Sequence, residues 1–291
     1  MEGIIIKIIA DSTCDLSDEV LKKYDIGVAP LTINIDAKIY RDRIDIQPAE
    51  FYEMMGALTN FPTTGMPSPV EYLKIIKQAV EEGNKEILCI CMSSGTSGAY
   101  QSAVLAKDYF FEESFESNVK VHVVDSKCMS HGSGWLIMKS AMMREKGASF
   151  EEIIAFNENY KKKVKHFLSV ADLDHLLKSG RLTNTSAFIG KLLMLKPIMT
   201  MKDGKGTIVG KERGLNRVLK HYTQEFIKRN NKEMTDFIIV GYTSDIKVAE
   251  KLKDKIQLDT NFPGEIHIMQ MGVSVGTHVG LGAISMFFVE K

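Results

Sequence analysis

The chain has 291 residues, of which 44% are hydrophobic and 25% charged, and its 37 basic residues are balanced by 37 acidic ones. That length suits one large domain or two of ordinary size, and the zero formal charge excludes a general attraction to nucleic acid or to an anionic membrane. The opening run "IIIKIIA" is too short to span a bilayer and lacks the flanks of a secretory signal, so a cytoplasmic protein with no stable membrane insertion is expected.

"IIIKIIA" (4–10) reads as a buried strand, and a polar turn leads from it to a helix near 17–24 with Leu16, Val20 and Leu21 as its apolar face. "IGVAPLTINI" is expected to form the next strand, and "PAEFYEMMGAL" a helix beginning at Pro48. "FPTTGMPSPVEY" (61–72) follows neither a strand nor a helix period and is read as an ordered loop stiffened by Pro62, Pro67 and Pro69. A helix follows with Ser68 as N-cap, Pro69 at its first position and Gly83 as its stop. "EILCICM" is a buried strand that sets Cys89 and Cys91 on one face. Four cysteines in so long a chain make no disulfide framework, and the one-residue spacer favours core packing over zinc or redox chemistry. "SGAYQSAVLAKDYF" is helical, "VKVHVVDS" extended and "GSGWLIMKSAMMREKG" helical. Continuous apolar strands alternating with helices imply a parallel sheet covered on both faces.

After a polar helix ending in "NENYKKKVK" the rhythm changes. "HFLSVA" is a strand and "DLDHLLKSG" a short helix, while "LKPIMTM" and "GTIVGKERG" are neighbouring strands joined at Asp203-Gly204, a hairpin signal. A helix over 215–229, the strand "DFIIVGYT", a helix near 246–257 and the strands "EIHIMQMG" and "AISMFFVE" complete a second, mixed unit. The expected organisation is an N-terminal α/β domain over 1–163 and a C-terminal mixed α/β domain over 164–291, with a ligand between them. The run "KKKVK" has no aromatic platform beside it and is read as a solvated helix end.

Ligands of parallel α/β sheets sit beyond the carboxyl ends of the strands. Three turns at such ends are rich in hydroxyls: "DSTCD" (11–15), "SSGTSGAY" (93–100) and "DSKCMSHGSG" (125–134). With the 61–72 loop they would bring Ser12, Thr13, Thr64, Ser93, Ser94, Ser97 and Ser126 to one rim, where Lys127 is the one cation, a set of neutral donors suited to a carboxylate. At any single turn, capping of the next helix is the simpler role. No glycine fingerprint for a dinucleotide follows the first strand, no Walker A loop is present, and no metal site is expected. "GTSGA" (95–99) is one residue short of a nucleophile elbow, which keeps open a serine-dependent lipid esterase using Ser97 or Ser94 with His278 as base.

The segments "DSTCDL", "TTGMPSP", "SSGTSGAYQSA", "VDSKCMSHGSG", "LDHLLKSGRL", "LKPIM" and "THVGLGA", in this order and spacing, resemble the DegV family along essentially the whole chain. The resemblance implies a two-domain α/β fold, no catalytic residues, no cofactor, and a bound long-chain fatty acid such as palmitate, handed to a separate fatty acid kinase that forms an acyl phosphate. It implies that the fatty-acid carboxylate is held by Thr64 and by Ser94 with Gly95, or by Ser93 or Ser97 of the same turn. It further puts Arg181, Arg213 and His278 near the mouth, to neutralise an acyl phosphate or meet the kinase. Gly65 and Met66 stand where the family often has serine and glutamine, Ala99 where threonine is frequent, Ser179 where a glycine is usual and Leu281 where proline is common. Among the 16 methionines, Met194, Met199, Met201, Met269, Met271 and Met286 are candidates for a tunnel lining, although core packing accounts for any one of them.

Overall fold

A computed structural model describes residues 6–113, 118–183 and 195–291. The first half contains β1 (Ile6–Asp11), α1 (Asp18–Lys23), β2 (Ile26–Ala29), β3 (Thr32–Ile35), β4 (Lys38–Arg41), α2 (Pro48–Met55), β5 (Thr63–Gly65), α3 (Pro69–Glu81), β6 (Glu86–Cys91), α4 (Ala99–Glu113), β7 (Lys120–Asp125), α5 (His131–Glu145) and α6 (Phe150–Tyr160). The second half continues with β8 (Val164–Ser169), α7 (Asp174–Ser179), β9 (Leu182–Thr183), β10 (Leu195–Lys202), β11 (Lys205–Arg213), α8 (Leu215–Arg229), β12 (Phe237–Tyr242), α9 (Ile246–Thr260), β13 (Glu265–Gln270), α10 (Val273–Val279) and β14 (Ile284–Val289).

Strands β2-β1-β6-β7 form a wholly parallel sheet. Neighbouring residues of β1 point to opposite faces, so Ile9 joins a core with Tyr72, Ile76, Ala103 and Phe110 of α3 and α4, while Ile8 and Ala10 join Trp135, Leu136 and Ile137 of α5. Ser68 caps α3 with its side chain and Pro69 begins it. The cysteine pair Cys89 and Cys91 packs in the α3–α4 core, where burial pushes the Cys89 thiol up to about 12.

The expected single strand "IGVAPLTINI" is instead two strands in different sheets. The chain leaves the parallel sheet after Ala29, because Pro30 has no N–H to continue the ladder, and resumes as β3 in a small antiparallel sheet of order β4-β3-β5. The 61–72 segment is likewise not all loop: Thr63–Gly65 is the edge strand β5, which sets Thr64 opposite Ile33. A three-residue edge strand is too short for a periodicity to register in the sequence.

The second half is built on a mixed sheet of order β13-β12-β14-β8-β10-β11-β9. Asp203 and Gly204 both have positive φ, 50° and 78°, as the β10–β11 hairpin requires. Helices α8 and α9 cover one face through Leu219, Tyr222, Phe226, Leu252 and Ile256. Against the other lies α5, buried nearly all round, which therefore fills the space between the two large sheets. Trp135 of α5 stacks on Phe237 of β12 and donates its indole N–H to the Phe237 carbonyl at 3.1 Å.

Gly132 on α5 allows this approach. A Cβ there would collide with the imidazole of His166 on β8, itself buried. Gly132→Ala should therefore cost about 1–3 kcal/mol by overpacking, read from urea unfolding, whereas a loss below about 0.5 kcal/mol would mean the two halves yield there.

Candidate ligand-binding site

The turns after β1, β6 and β7 all open toward the second half, as expected of strand carboxyl ends, but most of their hydroxyls are already engaged. Ser12 Oγ donates to Asp42 Oδ2 at 2.8 Å, and Thr13 Oγ1 donates to Asp11. Ser93 Oγ donates to the Gly204 carbonyl at 2.6 Å and accepts from Gly95 N–H at 3.2 Å. Ser94 Oγ donates to Asp125 and accepts from Lys127 Nζ at 3.2 Å. Ser126 accepts from Cys128 N–H at 3.1 Å. Ser93, Ser94 and Gly95 thus grip the tip of the β10–β11 hairpin and the Asp125–Lys127 ion pair, and the hydroxyl protons of both serines point at protein partners.

Two other residues of the expected set remain with a free side. Ser97 accepts from Ala99 N–H at 3.2 Å, the turn that opens α4, and Thr64 Oγ1 lies 2.8 Å from His278 Nε2. Thr64, Ser97, Arg181 and His278 line one vestibule together with Thr13, Met66, Gly98 and Ser274. Arg181 is exposed there, its guanidinium donating to the Ser179 carbonyl. Arg213 stands elsewhere: Gly206 adjoins Arg181, and the seven residue-to-residue steps of extended strand from 206 to 213 put Arg213 on the order of 20 Å away along β11.

The vestibule opens into an apolar cavity lined from both halves of the chain. Five methionines line it, Met92, Met129, Met199, Met201 and Met271, with Leu168, Leu176, Val275, Val279 and Phe287. Of the methionines singled out in the sequence, Met269 and Met286 are core residues and Met194 lies outside the described residues. Met92, Thr96, Arg181, Val275 and His278 belong to both spaces, so the polar and apolar parts are continuous.

Helix α10 carries His278 and went unforeseen in the sequence, because its run of valines, a glycine and hydroxyl residues has little helical propensity. The first half holds it from outside. Asp15 accepts from Gly272 N–H at 2.9 Å and from Ser130 Oγ at 2.5 Å, and Asp42 accepts from Ser274 N–H at 3.3 Å and Ser274 Oγ at 2.6 Å. Tyr52 Oη donates to the Met271 carbonyl at 3.0 Å, and Gly276 leaves space for its ring. Burial raises the Asp15 carboxyl to about 8 against the pull of those hydrogen bonds, and raises Asp42 for the same reason.

A serine hydrolase needs its nucleophile within hydrogen-bond reach of a base. Here His278 Nε2 is engaged by Thr64, Ser97 by Ala99 N–H, and Ser94 by Asp125 and Lys127. Among the described residues no group of acidic, histidine or cysteine side chains could hold a metal ion, and no helix is long and apolar enough to cross a membrane.

Fold and site define an α/β protein with a polar vestibule leading into a hydrocarbon-lined cavity. A family profile described as "Uncharacterised protein, DegV family" matches residues 5–291, and the chain belongs to the DegV family. A DegV domain-containing protein of Clostridium acetobutylicum is 38% identical over 288 residues, 98% of this chain and 99% of that one. Among solved structures, a DegV family protein from Thermus thermophilus described by its fatty acid binding has a TM-score of 0.87 at 29% identity, covering 98% of this chain and 99% of that one. A stearic-acid-binding protein from Eubacterium ventriosum has a TM-score of 0.87 at 28% identity, covering 98% of both chains.

Burial, then the electrostatic influence of Arg181 and His175, push the His278 imidazole down to about 4. Between that value and the ordinary one of about 6.5, the unfolded chain binds a proton that the folded ring refuses, so this contribution to stability is lost as pH falls through the window. The His278 ring resonances should therefore hold still from pH 8 to about 5 in an NMR titration of the ligand-free protein; a midpoint near 6.5 would contradict the buried, cation-flanked setting.

Proposed function

We propose that this protein binds a long-chain fatty acid such as palmitate, with the carboxylate in the vestibule and the tail in the methionine-lined cavity, and carries it without transforming it. The observation that carries this reading is the continuity of the two spaces through Met92, Thr96, Arg181, Val275 and His278. Relatives described as fatty-acid-binding support it. About 14 buried methylenes contribute on the order of 11 kcal/mol before the costs of association, so the tail supplies most of the affinity. Unbranched thioethers along the wall adapt to a flexible chain.

At the head, neutral His278 orients Thr64. With Nε2–H donating to Thr64 Oγ1, the threonine proton is free for the carboxylate, and Ser97 offers a second hydroxyl beside it. Ser93, Ser94 and Gly95 act one step behind, holding the turn that presents Ser97. Arg181 at the junction supplies positive charge without burying it. The esterase alternative needs Ser97 or Ser94 paired with a base, and the partners of both serines speak against it.

A carrier whose ligand carboxylate faces a polar mouth suits delivery to a separate fatty acid kinase for acyl phosphate formation. Arg213, exposed and distant from the vestibule, fits contact with such a partner better than contact with the headgroup. Its paired donors suit a carboxylate or phosphate on the other protein. Arg213→Ala should leave palmitate binding within a few fold while lowering acyl phosphate formation with a cognate kinase; parallel loss of both would return Arg213 to the ligand site.

The direct test of the clamp is Thr64→Val. Loss of a hydrogen bond to a charged group should cost about 1.5–3 kcal/mol, a roughly ten- to hundredfold weaker palmitate titration, read at a temperature where a thermal melt shows the variant fully folded. Unaltered affinity in a folded variant would remove Thr64 from the headgroup site.

A further inference from the structure

Met66 follows β5 and stands 55% exposed, the one methionine in an exposed position among the described residues. It is not a loose surface side chain. Its Sδ rests on Gly98, where a Cβ would collide with it, so the thioether spans from the end of β5 to the turn that opens α4. In that position it forms one wall of the vestibule, beside Thr64, Ser97, Arg181 and His278. A methionine that is both exposed to solvent and seated at the vestibule joins two properties that the other described methionines, half-buried or buried, do not combine.

We infer that Met66 is a reversible oxidation site whose sulfoxide weakens retention of the fatty-acid headgroup, an inference that rests on the vestibule holding the carboxylate. The reaction takes hydrogen peroxide as oxidant. The Met66 sulfur lone pair attacks one peroxide oxygen, the O–O bond breaks, sulfur gains that oxygen, and the remaining oxygen leaves as water after proton transfer. The product places an acceptor without a proton where a carboxylate, also an acceptor, sits between neutral donors. Contact with Gly98 blocks one side of the sulfur, so the new oxygen either faces the vestibule or forces the side chain off its seat, and each result loosens the clamp. Methionine sulfoxide reductases reverse the change.

The experiment is limited peroxide treatment of the purified protein, peptide mapping, and titration with palmitate before and after. Met66 should be oxidised before the other described methionines, and affinity should fall about tenfold, the size of one lost hydrogen bond to a charged group. Methionine sulfoxide reductase should restore it. Met66→Leu, whatever its own starting affinity, should show no change on peroxide treatment. Oxidation of a buried methionine first, full affinity with Met66 oxidised, or an equal loss in Met66→Leu would each overturn the inference. A protein that binds no palmitate before treatment fails differently: it overturns the headgroup reading itself.

Discussion

Two carboxyl groups taken out of water, those of Asp15 and Asp42, hold the start of α10, and the geometry of the candidate binding site depends on that hold. The helix has seven residues, three of them valine, and would not persist on its own propensity. Its first N–H groups have no partners within the helix, so side chains from the other half of the chain supply them. Burying two acids so close together is unfavourable unless each is hydrogen-bonded, and Ser12, Ser130, Ser274 and Gly272 provide those bonds. With the N-terminus of α10 fixed, its other end delivers His278 to Thr64 across a sequence separation of 214 residues.

The same economy of hydroxyls explains the three polar turns. Each could have presented its oxygens to a ligand. Instead, most are spent inside the protein: Ser93 joins the halves through the hairpin tip at Gly204, while Ser130 bonds Asp15 and Ser94 bonds the Asp125–Lys127 pair within the first half. The cavity is thereby roofed by β10 and β11 without a covalent link, and its lining draws on both halves. In the proposed function, a headgroup site set above a hydrocarbon wall divides the work, with affinity from the tail and orientation from the head.

Much of the fold was legible because its signals are local. Apolar runs with the right punctuation marked β1, β6 and β7, Ser68 and Pro69 marked the start of α3, and Asp203-Gly204 marked the hairpin. What escaped was held by distant partners: β5 is extended because it pairs with β3, and α10 is helical because Asp15 and Asp42 cap it. The hydroxyl cluster was visible as a cluster, but which members remained free was not, since Gly204 and Asp125 reach the 93–97 turn only in the folded chain. Arg213 shows the same limit in reverse. A position on a polar strand end says nothing of which end of the sheet faces the ligand.

In the proposed function the vestibule and the cavity together hold one carboxylated hydrocarbon chain. Native mass spectrometry of the protein as purified, followed by denaturing extraction, tests it without any assumption about partner or pathway. The expected result is a complex with one ligand per chain whose extracted mass is that of a long-chain fatty acid. A protein that is ligand-free and takes up no fatty acid when one is supplied, or that carries a polar molecule instead, would contradict it.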